Sequence, residues 1–290
     1  MLLRIRLLFK PFLRRHTATK PPSGRDPAML TEDQIHHFRV FGFIVLRQVL
    51  NKAETEELGR LADVIWTAEL GHQPTEDEHV SIAPFLELHP ATFPMIEDDR
   101  FYTPMVQLLG QDMIWSGSEG VQGTMTRRPF HHWHADRPGP QELGYLRIKI
   151  MMYLDPMRKD GGALRVIPGS HRSPFHEDLA PFQQRHGLDD PAFFGSPGSE
   201  VPCHPVETDP GDAVVFNQSL YHAVYGKAGR RRYVALKYAA RPTSDAHLAS
   251  IKRFSPYTLE PHERIMQSES PRLRAMTEGL DELRAQAEAL

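Results

Sequence analysis

Two periods of apolar and polar residues run along this chain, and the change from one to the other marks its organisation. Thr31-Glu32-Asp33-Gln34 has the form of a capping box, and Ile35 and Phe38 follow at helical spacing. Gly42 ends that helix, and Phe43-Ile44-Val45-Leu46 reads as a short buried strand. Leu58, Leu61, Ala62 and Ile65 put one apolar face on a helix predicted over 52–70. Residues 71–100, rich in proline, histidine and acids, read as loop, with His72, His79 and His89 solvated. From about Met113 the period shortens to two. Strands are predicted at 113–115, 121–125, 146–154, 162–167, 213–216 and 233–238. Turns such as Arg137-Pro138-Gly139-Pro140, Pro168-Gly169-Ser170 and Asp209-Pro210-Gly211-Asp212 separate them. Many short strands between glycine- and proline-rich turns predict a sandwich or jelly roll. A polar, proline-rich insertion, 173–205, interrupts the strands, and insertions that long are expected to form a lid or part of a mouth. Past Pro242 the helical period returns, with Leu273, Met276, Leu280, Leu283, Ala287 and Leu290 on one face, broken at Gly279.

Composition narrows this only a little. At 290 residues the chain can bury a large core. Its net charge of −3 gives no global sign of a nucleic-acid partner. No apolar run approaches the ~18 residues that would span a bilayer. A single cysteine, Cys203, excludes an internal disulfide and a multi-cysteine zinc site, and fits a reducing, cytoplasmic setting. Residues 1–28 differ from the rest: seven basic residues against Asp26 give +6, leaving −9 for the remainder. This segment reads as a disordered leader; a targeting or membrane-surface peptide is the alternative. Residues 29–290 then form one domain: a helical part over 31–70, a β core over about 113–240, and a helical part over 243–290.

The candidate chemistry lies in Phe130-His131-His132-Trp133-His134-Ala135-Asp136. In an extended strand residues two apart share a face, so His134 and Asp136 converge. An imidazole and a carboxylate are two thirds of the 2-His-1-carboxylate set that binds Fe(II) and leaves positions open. The pair alone is weak evidence. With 16 histidines, about one His-x-Asp arises by chance, and His176-Glu177-Asp178 is a second match, read as a solvated pair. His222, which follows the turn and strand Pro210–Phe216, is the candidate third ligand. Arg230-Arg231-Arg232 comes next. A guanidinium there suits a dicarboxylate, because it pairs through two parallel hydrogen bonds and keeps its charge. Alternation lets either Arg231 or the Arg230/Arg232 pair point inward. His132 shares the face of His134 on an extended strand, and His131 is expected to face away. Lys149, Met151 and Tyr153 share one face of their strand: turned inward, Lys149 would meet an anionic group of a cosubstrate or substrate; turned outward, the expected case, Arg147 and Lys149 are surface charges.

Four motifs in order resemble the phytanoyl-CoA dioxygenase family of Fe(II)/2-oxoglutarate oxygenases. They are Trp133–Asp136, then Gly161-Gly162-Ala163-Leu164-Arg165-Val166-Ile167-Pro168-Gly169-Ser170-His171, then Pro210-Gly211-Asp212 with Phe216 and His222, then Arg231-Arg232 with Tyr238. Leu30–Leu50 also resembles the family's start. The resemblance implies a mainly β chain with flanking helices, folded as a double-stranded β-helix (a cupin-like jelly roll). It implies Fe(II) on His134, Asp136 and His222, with 2-oxoglutarate as cosubstrate and O2 as oxidant. It implies Arg231, or else Arg232, on the distal carboxylate of 2-oxoglutarate, and Gln122 beside the cosubstrate. His171 belongs to the turn and is no ligand in the family. Oxidation of a small-molecule substrate, with release of succinate and CO2, is the implied reaction. Asp136 favours hydroxylation, since related halogenases carry a small residue there. A cupin-type metal enzyme that needs no 2-oxoglutarate, or an inactive metal-binding jelly roll, are the other readings.

Overall fold

The structure is a computed structural model that describes residues 29–75, 78–123, 130–184, 192–193, 195–226 and 229–290. The basic leader and the insertion residues 185–191 and 194 lie outside the described residues. Among the described residues, twelve strands occur in the order β1 Phe43–Leu46, β2 Val80–Ile82, β3 Ile114–Gly123, β4 Phe130–His134, β5 Arg147–Tyr153, β6 Gly161–Val166, β7 Ala192–Phe193, β8 Ser196–Pro197, β9 His204–Val206, β10 Ala213–Asn217, β11 His222–Gly226 and β12 Arg231–Ala239. A six-stranded sheet has the order β1-β10-β5-β12-β3-β2, and a four-stranded sheet the order β4-β11-β6-β9. All the pairings are antiparallel. The two sheets face each other as a jelly roll, and helices cover the large sheet.

Local chemistry sets the element ends. Helix α1, Glu32–Phe41, starts with a complete capping box between Thr31 and Gln34 and stops at Gly42, whose left-handed backbone (φ 83°) suits glycine. Helix α2, Lys52–Leu70, repeats the device with Asn51 and Glu54. Leu58, Leu61, Ala62, Ile65 and Trp66 of α2 are all buried. A third helix, α3 Asp99–Leu109, is capped by Asp98 and lies between the loop read over 71–100 and the strands read from Met113. No helix among the described residues is long and apolar enough to cross a membrane.

The large sheet has two distinct faces. Ile148, Ile150, Met152, Val215, Val234, Leu236 and Tyr238 point outward into the main core, against α2, α3 and the C-terminal helices. Each such aliphatic side chain stabilises the fold by about 1.5–3 kcal/mol. Met151, Tyr153, Val214, Phe216 and Ala235 point inward and meet Ala163, Leu164, Val166 and Val224 of the small sheet.

Strand β3 runs unbroken through the gap expected between 115 and 121. Gly120 makes this workable: a Cβ there would come 2.3 Å from the Phe85 ring, which lies across the strand. The described part of the insertion lies against the small sheet. Leu179, Phe182 and Val201 pack with Trp133, Tyr221 and Ala223 on the outer face of the small sheet. Hydrogen bonds from Trp133 Nε1 to the Gly198 carbonyl (2.8 Å) and from Ala135 N to Gln183 Oε1 (2.9 Å) fasten it there.

Candidate metal centre

Strands β4 and β11 are neighbours, with His134 directly opposite His222. Asp136 follows β4, two residues beyond His134. Oδ1 of Asp136 lies 3.7 Å from His134 Nε2 and 3.8 Å from His222 Nε2, and the three donor atoms lie within 4.8 Å of one another. These gaps exceed hydrogen-bond length; they are gaps a cation would fill. Both imidazoles are turned for that task. His134 Nδ1 bonds the His132 carbonyl at 2.7 Å and His222 Nδ1 the Leu220 carbonyl at 2.9 Å, so each ring donates its Nδ1–H and offers its Nε2 lone pair.

Electrostatics favours the same protonation states. Burial above all, helped by neighbouring His134, pushes the His222 imidazole down to about 3, so it is neutral at ordinary pH. Burial opposes ionisation of Asp136, but the Lys149 ammonium outweighs it and holds the carboxyl well below its usual range. Two imidazole Nε2 atoms and one carboxylate converging on one point, with the His134 and Asp136 side chains partly accessible, fit a divalent transition metal with open positions.

The remaining candidates separate clearly. Arg231 and Arg232 leave β12 on opposite faces. Arg232 points out, paired with Asp155 (2.8 Å) and Asp63 (3.3 Å). Arg231 points in, between the Tyr153 and Tyr233 rings at 5.2 Å each, and donates to Tyr153 Oη (3.0 Å) and the Gly162 carbonyl (3.1 Å). It has no acidic partner among the described residues. Gln122 sits opposite Arg232 in register and so also faces outward, donating to the Thr75 carbonyl. The structure does not bring it to the donors; it is buried on the helix side.

Three expectations need correction. His131, not His132, joins the donors: its ring centroid is 4.4 Å from that of His134. The cause is an extra residue in β4, since His222 pairs with His134 but Val224 pairs with His131. Solvent reaches the His131 ring, yet protein encloses its other sides; that enclosure and the nearby His134, His222 and Arg231 depress its basicity. His176 is not solvated: it is buried, with Nδ1 on the Ser170 carbonyl (2.9 Å) and Nε2 accepting from Gly139 N (3.0 Å). Arg147 and Lys149 are not surface charges. Arg147 is buried against Glu142 and Ser250, and Lys149 faces the interior.

Lys149 leads to residues the sequence reading missed. Its ammonium is 2.5 Å from Glu119 Oε1 and 4.0 Å from Asp136 Oδ2. Glu119 Oε2 is 2.6 Å from Lys237 Nζ, and Tyr233 Oη is 3.3 Å from Oε1. Burial works against an ionised Glu119, but the two ammonium groups prevail and hold it at about 2. The available signal was charge at the inward positions of β3, β5 and β12; it could be read only once those strands were known to be neighbours.

The phytanoyl-CoA dioxygenase family model matches residues 38–232. A curated relative, the dioxygenase lolE1 of Epichloe uncinata, is 24% identical over 220 residues, covering 69% of this chain and 78% of its own. Among solved structures, HygX from Streptomyces hygroscopicus, with nickel and 2-oxoglutarate bound, superposes with a TM-score of 0.59 at 18% identity, covering 73% of this chain and 88% of its own. SnoK, a non-heme α-ketoglutarate-dependent carbocyclase from nogalamycin biosynthesis, superposes at 0.56 and 16% identity, covering 73% and 84%. With the matched span taking in His134, Asp136 and His222, this chain belongs to the phytanoyl-CoA dioxygenase family of 2-oxoglutarate-dependent dioxygenases.

Proposed function

We propose that the protein uses Fe(II), 2-oxoglutarate and O2 to hydroxylate a small molecule, releasing succinate and CO2. The observation that carries this reading is the convergence of His134 Nε2, Asp136 Oδ1 and His222 Nε2, with both Nδ1 atoms already bonded to backbone carbonyls. These three side chains would hold the iron. Bound there with 2-oxoglutarate, iron supplies the oxidative decarboxylation and the oxidation of the substrate. Arg231 binds the distal carboxylate of 2-oxoglutarate. Its guanidinium is held between two tyrosine rings, and the Tyr153 hydroxyl beside it offers a further hydrogen bond. Arg232 is already neutralised by Asp155 and Asp63 and serves the fold. Phe216, Val224 and Ala235 belong to an apolar cluster between the sheets, with the Phe216 ring 5.1 Å from that of His222. An aspartate at 136 occupies the position that halogenases free, which supports hydroxylation. Residues 29–290 act as one oxygenase domain, and the lone free cysteine suits the cytoplasm.

The test is anaerobic titration of the Fe(II)-loaded protein with 2-oxoglutarate, read by visible absorption. Chelation should produce a weak metal-to-ligand charge-transfer band that is absent from His134→Ala and needs more 2-oxoglutarate in Arg231→Ala. Bound iron without the band would overturn the reading in favour of an enzyme independent of 2-oxoglutarate or an inactive metal binder.

A further inference from the structure

Between the sheets, next to the metal donors, lie two buried ammonium groups and one carboxylate. Lys149 on β5 and Lys237 on β12 approach Glu119 on β3 from two sides, one at each carboxylate oxygen. All three side chains are at least 85% buried, yet each keeps some accessible surface, as do His134 and Asp136. The trio is therefore not sealed from solvent, and its Lys149 end lies beside Asp136. At its other end, Lys237 Nζ lies 5.7 Å from the Tyr257 ring, which is 42% exposed and rests against Gly117. The trio thus links the metal donors to the protein surface at Tyr257.

We propose that Lys149 and Lys237, bridged by Glu119, form the recognition site for a carboxylate on the substrate, which is therefore a small monocarboxylic acid. The inference rests on the oxygenase reading above.

Three observations carry it. First, the trio is not neutral: two ammonium charges face one carboxylate. In the loaded enzyme, the iron and Arg231 offset Asp136 and the dianionic 2-oxoglutarate, so one positive charge of the trio stays unmatched. A buried unmatched charge is costly, and a monoanionic ligand removes the cost. Second, Glu119 shows that the two ammonium groups are spaced for the two oxygens of one carboxylate. An ammonium has three N–H donors, and each lysine directs one at Glu119, leaving donors for a second carboxylate. Third, Lys149 is 4.0 Å from Asp136 Oδ2, so a carboxylate held there places its neighbouring carbons beside the metal donors. A purely structural trio would serve equally well as three apolar residues, which cores tolerate at little cost.

The test uses the full-length protein loaded with Fe(II) and 2-oxoglutarate under anaerobic conditions. Butyrate, phenylacetate and N-acetylglycine are titrated beside their neutral amides, and the charge-transfer band is followed. Binding beside the metal shifts the band, whereas displacement of 2-oxoglutarate bleaches it. At least one acid should shift it saturably, with its amide about tenfold weaker or more. Lys237→Gln should abolish the preference for acid over amide, and Lys237→Arg should retain it. The 2-oxoglutarate band of each variant reports that its fold and metal site are intact. If no acid is preferred over its amide, or if Lys237→Gln keeps the preference, the inference is overturned. Loss of the band in the unmutated protein would instead sink the oxygenase reading itself, so the two failures are distinct.

Discussion

The two faces of the six-stranded sheet are made from the same strands and do opposite things. On β12 the outward residues Arg232, Val234, Leu236 and Tyr238 meet helices, acids or a backbone carbonyl, and all find fixed partners. The inward residues Arg231, Tyr233 and Lys237 sit among charges and rings beside the metal donors. The outward face is filled to exclude water and stabilises the fold. The inward face holds polar groups whose charges are incompletely matched by the protein itself. Adjacent residues, 231 and 232, therefore have unrelated roles, because a strand sends successive side chains to opposite sides.

That contrast can be broken by substitution. The largest effect is expected at the inward donors: His222→Ala should reduce substrate oxidation to background and prevent iron retention after dialysis, while the folded protein persists. Removal of iron from the native protein with a chelator should have the same effect and be reversed by added Fe(II). On the outward face, Leu236→Ala should cost about 2–5 kcal/mol in denaturant unfolding, with the affinity for 2-oxoglutarate unchanged in the molecules that remain folded. An acid titration probes the inward charges. The folded value of Glu119, about 2, lies below its ordinary 4.5. Its ionised form thus stabilises the fold fully above pH 4.5, and the contribution, on the order of 1–3 kcal/mol, is lost as pH falls towards 2. Glu119→Gln should flatten the pH dependence of stability in that window; an unchanged slope would refute the assignment. The smallest contrast is between the adjacent arginines. Arg231→Ala should raise the KM for 2-oxoglutarate about tenfold to a hundredfold with little loss of stability. Arg232→Ala should leave that KM alone and lower the unfolding free energy by about 1–3 kcal/mol, because Asp155 loses its buried partner.

Some of this was legible in the chain. The capping box at Thr31, the strand at Phe43–Leu46 and the α2 helix follow from local spacing, and the structure has each in place. The gap between the strands predicted at 113–115 and 121–125 is absent: β3 runs through it, with Gly117 against the Tyr257 ring and Gly120 under the Phe85 ring, neither of which adjoins the stretch in sequence. His131 and His132 were reversed by one extra residue in β4, which no periodicity reveals. Gln122 was placed on the wrong face for its suggested role because its register to Arg232 depends on pairing with a distant strand. His176 looked like a surface pair because its partners, Ser170 and Gly139, come from separate turns.

The sequence by itself determined the period of each element, the caps that end the helices, and the order of motifs that marks the family. These are local properties: they depend on residues within a turn or two of one another. Only the tertiary structure decided which arginine faces the interior, which histidine stands beside the donors, and that Glu119, Lys149 and Lys237 meet. Each of those outcomes depends on strand register and on charges brought together from positions up to 118 residues apart, 119 to 237. A one-residue shift in register would turn every one of these side chains to the other face.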